Sequence, residues 1–121
     1  MYPYVLMGAK QHRREFSAEL AHAGEARHFI AWTGAAAGLR GGSLSDLAVA
    51  AEALLTDIFL SVEIGETLVV ESEATEDTVR TIVRHPELRE RRMSGLETIM
   101  EQFLDGYEIS PDKAVMIKRL G

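Results

Sequence analysis

The apolar residues of this chain change period near Gly65, from a helical repeat to a strand-like one, and that change limits the folds open to it. Upstream, between Ala23 and Leu39, residues Ala26, Phe29, Ile30, Thr33 and Ala37 recur at three- and four-residue steps and draw one stripe along a helix. Leu44, Leu47, Ala48, Ala51, Leu55 and Ile58 form the wider apolar face of a second helix, Leu44 to Leu60, which Ser43 or Ser45 can cap. Between them Gly38, Arg40, Gly41 and Gly42 predict a break, because consecutive glycines are costly inside a helix. Downstream, Thr67 to Ser72 carries Leu68, Val69 and Val70, and Thr78 to Arg84 carries Val79, Ile82 and Val83. With the short acidic Glu73 to Asp77 between them, these read as a β-hairpin or adjacent antiparallel strands.

The ends of the chain complete the pattern. Phe16, Ala18 and Leu20 alternate as in a half-buried first strand, His12 to Leu20. His85 to Arg92 is charged, holds Pro86 and reads as a loop. Leu96, Ile99, Met100, Phe103 and Leu104 line a third helix from about Ser94 to Leu104, which Gly106 ends. Tyr107 to Ile109, a turn at Ser110 to Asp112, and Ala114 to Lys118 then give two last strands. This order predicts an α+β fold: a two-layer sandwich of a mixed, mostly antiparallel sheet with about three helices on one face. At 121 residues, without internal repeats, the chain is expected to be one domain, 1–121, with 1–11 as an irregular N-terminal segment.

Composition removes several classes of function. Thirteen Lys and Arg against nineteen Asp and Glu leave a net charge of -6, which disfavours nucleic acid as a partner. The absence of cysteine excludes a disulfide framework, a thiolate metal site and a cysteine nucleophile, and fits a cytoplasmic setting. Met1 to Ala9 lacks the basic start and long apolar run of a signal peptide, and no stretch is apolar enough to span a bilayer, so no membrane is expected. The histidines at 12, 22, 28 and 85 include no i, i+4 pair for a metal, and Ser17, Ser43, Ser45 and Ser94 lack the setting of a nucleophile elbow. Arg80, Arg84, Arg89, Arg91 and Arg92 form a basic run that could grip a phosphate or an acidic partner, but Glu87 and Glu90 favour a solvated loop. Trp32 reads as the edge of the core, with an exposed anchor for a partner as the other reading.

Three stretches carry a family resemblance: Glu52-Ala53-Leu54-Leu55-Thr56, Val83-Arg84-His85-Pro86 and Met93-Ser94-Gly95-Leu96, with Ala114 to Leu120 as a closing strand. Together they resemble the landmarks of the histidine-kinase-type ATPase fold, specifically the small bacterial anti-sigma-factor serine kinases, over Phe16 to Leu120. That family has a Glu-Ala-Leu-Thr-Asn helix, a Val-x-Asp-x-Gly turn, a lid and a Gly-x-Gly-Leu helix start. The resemblance makes Glu52 the general base near the transferred phosphate. It puts Thr56 where an asparagine holds Mg²⁺, a weak replacement, with Asp57 pointing about 100° away on the helix. His85, or Arg84 if the register slips by one, stands where an aspartate reads adenine, and Pro86, Glu87 and Leu88 replace glycines. Ser94 and Gly95 stand where backbone approaches phosphate.

These departures imply a degenerate domain that has kept a partner surface and lost its nucleotide, so no cofactor is expected. The function implied is a regulatory protein-binding module resembling an anti-sigma factor, sequestering its partner in transcriptional or stress signalling. The resemblance names a sigma factor or a STAS-type anti-anti-sigma protein as that partner, and a homodimer as a possible assembly. The alternative it implies is a divergent protein serine kinase, in which Glu52 is the base, Thr56 or Asp57 assists Mg²⁺, and Ser94 with Gly95 approaches the phosphate of ATP.

Overall fold

A computed structural model describes residues 11–88 and 95–120. Strand β1, Gln11–Ser17, leads through a short 3-10 turn at Leu20–His22 into helix α1, Ala23–Ala37, and helix α2, Gly41–Ser61. The hairpin β2, Thr67–Ala74, and β3, Thr78–Arg84, follows; then come α3, Leu96–Phe103, and the strands β4, Gly106–Ser110, and β5, Lys113–Arg119. The five strands lie in the order β1-β2-β3-β5-β4, and every neighbouring pair is antiparallel.

Strand alternation decides which side of the sheet is covered. The register aligns Phe16 with Leu68, Val70 with Val83, Val83 with Ala114 and Ala114 with Ile109 across the sheet. Because directly opposed residues share a face, these side chains form one apolar floor. It shares a core with Ala26, Phe29 and Ile30 of α1, Leu47, Leu54, Leu55 and Ile58 of α2, and Leu96 and Met100 of α3. The helices therefore pack on one face of the sheet, as the pattern of elements predicts. At about 1.5–3 kcal/mol per fully buried large aliphatic side chain, this shared core is what holds the two layers together. The other face is mostly charged, with Arg13, Glu15, Arg80 and Arg84 exposed; its apolar centre is the opposed pair Ile82 and Val115.

Several local expectations are corrected by packing. Gly38 ends the first helix: at φ 119° it lets its N–H reach the Ala35 carbonyl (3.1 Å) and the Leu39 N–H reach the Gly34 carbonyl (3.0 Å). These two bonds close the end of α1 and turn Leu39 into the core. Gly41 and Gly42 lie in the first turn of α2, whose N-cap is Arg40, so neither Ser43 nor Ser45 caps the helix. The Arg40 guanidinium instead donates to the Leu39 carbonyl at 3.3 Å and, together with the Gly38 N–H, to the Ala35 carbonyl at 3.4 Å. Leu20, expected in the first strand, sits exposed in the 3-10 turn, because β1 stops where β2 begins at Thr67. Gln11 opens β1; the remainder of the expected irregular segment 1–11 lies outside the described residues.

Candidate functional site

Helix α2 puts Glu52 and Thr56 one turn apart on its outer side, facing the start of α1. α1 and α2 pack side by side, joined by the tight turn at Gly38–Arg40, and this brings Arg27 of α1 opposite Glu52. Their side chains form an ion pair at 3.3 Å between Arg27 Nη1 and Glu52 Oε1. Around it lies a shallow groove of about 160 Å³, lined by Ala23, Gly24, Arg27, Glu52, Leu55 and Thr56. A second groove of about 240 Å³ shares Arg27 and Glu52 and continues along the helices past His28, Ala48 and the exposed Val49.

The other positions named by the sequence lie elsewhere. Asp57 is fully buried while Glu52 is exposed, as expected from its 100° offset from Thr56 on the helix. His85, just beyond β3, is buried, and its Nδ1 lies 2.8 Å from the Pro86 carbonyl. A carbonyl only accepts, so Nδ1 carries the proton in that bond. The backbone N–H of His85 is bonded to the Asp112 carbonyl at 3.0 Å, which anchors the residue beside the β4–β5 turn. Gly95 is exposed at φ 85° as the N-cap of α3, and Ser94 lies outside the described residues. Of the five named positions, the structure thus brings Glu52 and Thr56 to one groove; neither His85 nor Gly95 lines it.

These residues do not fit Mg-ATP. A Mg²⁺ ion takes hard oxygen ligands, usually from one or two carboxylates. Here the Glu52 carboxylate is paired with a guanidinium, Thr56 supplies one hydroxyl, and no group of three or more His, Asp or Glu side chains suited to a metal occurs among the described residues. His85 is buried, and its Nδ1 bonds to its own loop at the Pro86 carbonyl, away from the Glu52 groove.

Two readings of single residues change. Trp32 is half exposed (51%), packed edge-on against His12 of β1 at 4.9 Å and beside Phe29 at 6.3 Å, so it caps the aromatic row at the sheet edge and is not part of the core. Arg80 and Arg84 belong to β3, not to a basic loop; Arg89, Arg91 and Arg92 lie outside the described residues. Arg84 Nε donates to Glu71 on the neighbouring strand, and this bond with the Glu71 charge holds the guanidinium pKa above its ordinary value. Sequence reading missed Arg27 and the bridge from Lys118 to Asp46 (3.4 Å) and Asp105 (3.8 Å), because these partners are distant in the chain and share no periodic signal.

No protein-family model matches the chain, and no curated protein matches it in sequence. No helix among the described residues is long and apolar enough to cross a membrane.

Proposed function

We propose that this protein is a regulatory protein-binding module resembling an anti-sigma factor, which acts by holding and releasing a partner and not by turnover. The observation that carries this reading is the state of Glu52. The residue that the resemblance makes the general base is engaged by Arg27 on the outer side of the helix layer, and the groove beside it holds no second carboxylate. The order of strand, two helices, hairpin, helix and two strands supports the same reading, since it follows the order of the family's landmarks. Such a module would use the outer surface of α1 and α2, where Val49 and Trp32 offer apolar area, to bind a sigma factor or a STAS-type protein.

The test is calorimetric titration of the protein with ATP, ADP and Mg²⁺ at concentrations that detect dissociation constants near a millimolar. No heat is expected, and binding to a sigma factor or STAS-type partner should survive Glu52→Ala. Mg-dependent nucleotide binding, followed by phosphoryl transfer that Glu52→Ala abolishes, would replace this reading with the protein serine kinase.

A further inference from the structure

Among the described residues, three of the exposed large apolar side chains lie at one end of the molecule: Leu20 (63%), Leu60 (48%) and Ile64 (83%). The fold gathers them by two routes. The Ala18 N–H donates to the Glu66 carbonyl at 2.7 Å, which ties the connection between β1 and α1 to the connection between α2 and β2. Leu20 lies two residues past one side of that bond, and Ile64 two residues before the other. Leu60 arrives along α2, one turn beyond Thr56 in the row Glu52, Thr56, Leu60 that faces the start of α1. Because α1 and α2 run antiparallel, with Arg27 opposite Glu52 and Ala23 beside Thr56, the 3-10 turn at Leu20–His22 falls next to the last turn of α2. Single apolar residues on a surface need no explanation; a group of them at one end does.

The border of this patch is acidic. Glu19 adjoins Leu20, Glu63 adjoins Ile64, Glu66 follows Gly65, and neither 17–24 nor 56–67 contains a Lys or Arg. Among the described residues Glu63 and Glu66 form no ion pair, and Glu19 has only His22, at 3.3 Å, a ring it shares with Glu25. Such a border draws Lys and Arg and turns away nucleic acid and anionic lipid. The backbone narrows the occupant further. The carbonyls of Ser17, Glu19, Ile58, Glu63 and Glu66 already accept hydrogen bonds from Glu19, His22, Val62, Glu66 and Ala18. An added strand needs free backbone groups to pair with, and here these carbonyls are taken; a helix brings its own backbone satisfied and needs only apolar contact with charge at the margin.

We propose that this end of the molecule docks a basic amphipathic helix of a partner protein, its apolar row on Leu20, Leu60 and Ile64 and its Lys or Arg residues against Glu19, Glu63 and Glu66. The site uses neither Val49, Trp32 nor the Glu52 carboxylate, so it does not rest on the anti-sigma reading. The test titrates the full chain into a fluorescently labelled amphipathic helical peptide of Leu and Lys, read by anisotropy, with a Leu and Glu peptide of the same pattern as control. The Leu and Lys peptide should bind in the micromolar range and weaken as salt rises, and the Leu and Glu peptide should not bind. Leu20→Ser and Ile64→Ser should each weaken binding about fivefold or more, and Glu63→Lys about tenfold. Glu76→Lys in the β2–β3 turn and Glu108→Lys on β4 are exposed charge reversals of the same size away from the patch and should leave binding unchanged. Circular dichroism checks that each variant is folded, as expected for exposed positions. No binding up to millimolar protein, binding indifferent to Ile64→Ser, or a loss with Glu76→Lys as large as that with Glu63→Lys would each overturn the proposal. Sedimentation velocity of the protein alone addresses the other occupant: self-association that Ile64→Ser abolishes would overturn it in favour of a second copy.

Discussion

Thr81 lies in the middle of β3, the central strand of the sheet, aligned with Ser72 on β2 and Met116 on β5, and it is completely buried. Its Oγ1 has no hydrogen-bond partner among the described residues. A buried hydroxyl in that state loses its bond to water and receives nothing in return, a cost of about 1–3 kcal/mol. Valine has nearly the same shape and the same branched Cβ, so Thr81→Val should keep the rotamer and the packing while removing the cost. The expected result is a gain of about 1–2 kcal/mol in unfolding free energy. Thr81→Ser tests the other half of the reasoning: it keeps the hydroxyl and removes a methyl, and should lose about 1 kcal/mol. Urea unfolding followed by circular dichroism measures both, and each kcal/mol should move Tm by roughly 4 °C. If Thr81→Val lowers stability while Thr81→Ser is neutral, the hydroxyl is paired and the reasoning fails.

Two other expectations follow from packing and charge. A side chain at Gly34 would place its Cβ 2.9 Å from Leu47 and 3.2 Å from Leu39, both buried, so Gly34→Val should cost about 1–3 kcal/mol, read from the same urea midpoints. The Tyr107 pKa is raised, first by burial, then by the hydroxyl's bond to Glu101 (3.1 Å) and the charges of Glu101 and Glu97. A pKa raised by folding contributes stability below the unfolded value and loses it as pH rises through the folded one. Stability should therefore fall as pH climbs past about 10, and Tyr107→Phe should flatten that fall. Equal slopes for the two proteins would refute the assignment.

The fold was largely legible because it depends on periods that neighbours in the chain carry by themselves. The stripe Ala26, Phe29, Ile30 and Thr33 is buried as expected, and β3 has the expected limits Thr78–Arg84. Helix ends were less legible. Gly38, Gly41 and Gly42 look alike in sequence, and only the pairing of α1 with α2 decides that the first ends a helix while the other two lie within the next. The candidate site was legible as a spacing, Glu52 and Thr56 on one face, but not as chemistry. Arg27 lies 25 positions upstream of Glu52, and nothing local to either residue announces that they meet.

The sequence by itself determined which segments bury an apolar face, hence two helices, a hairpin and a final helix with two strands against one sheet, since burial follows from local period. Tertiary structure alone decided what the polar residues do. Strand order made β1 an edge and aimed the backbone of Arg13 and Glu15 outward. Helix packing joined Arg27 to Glu52, and the meeting of α2, β5 and the turn before β4 set Lys118 between Asp46 and Asp105. Charge pairing depends on distances of a few ångströms between residues far apart in the chain, and those distances come into being only when the layers close.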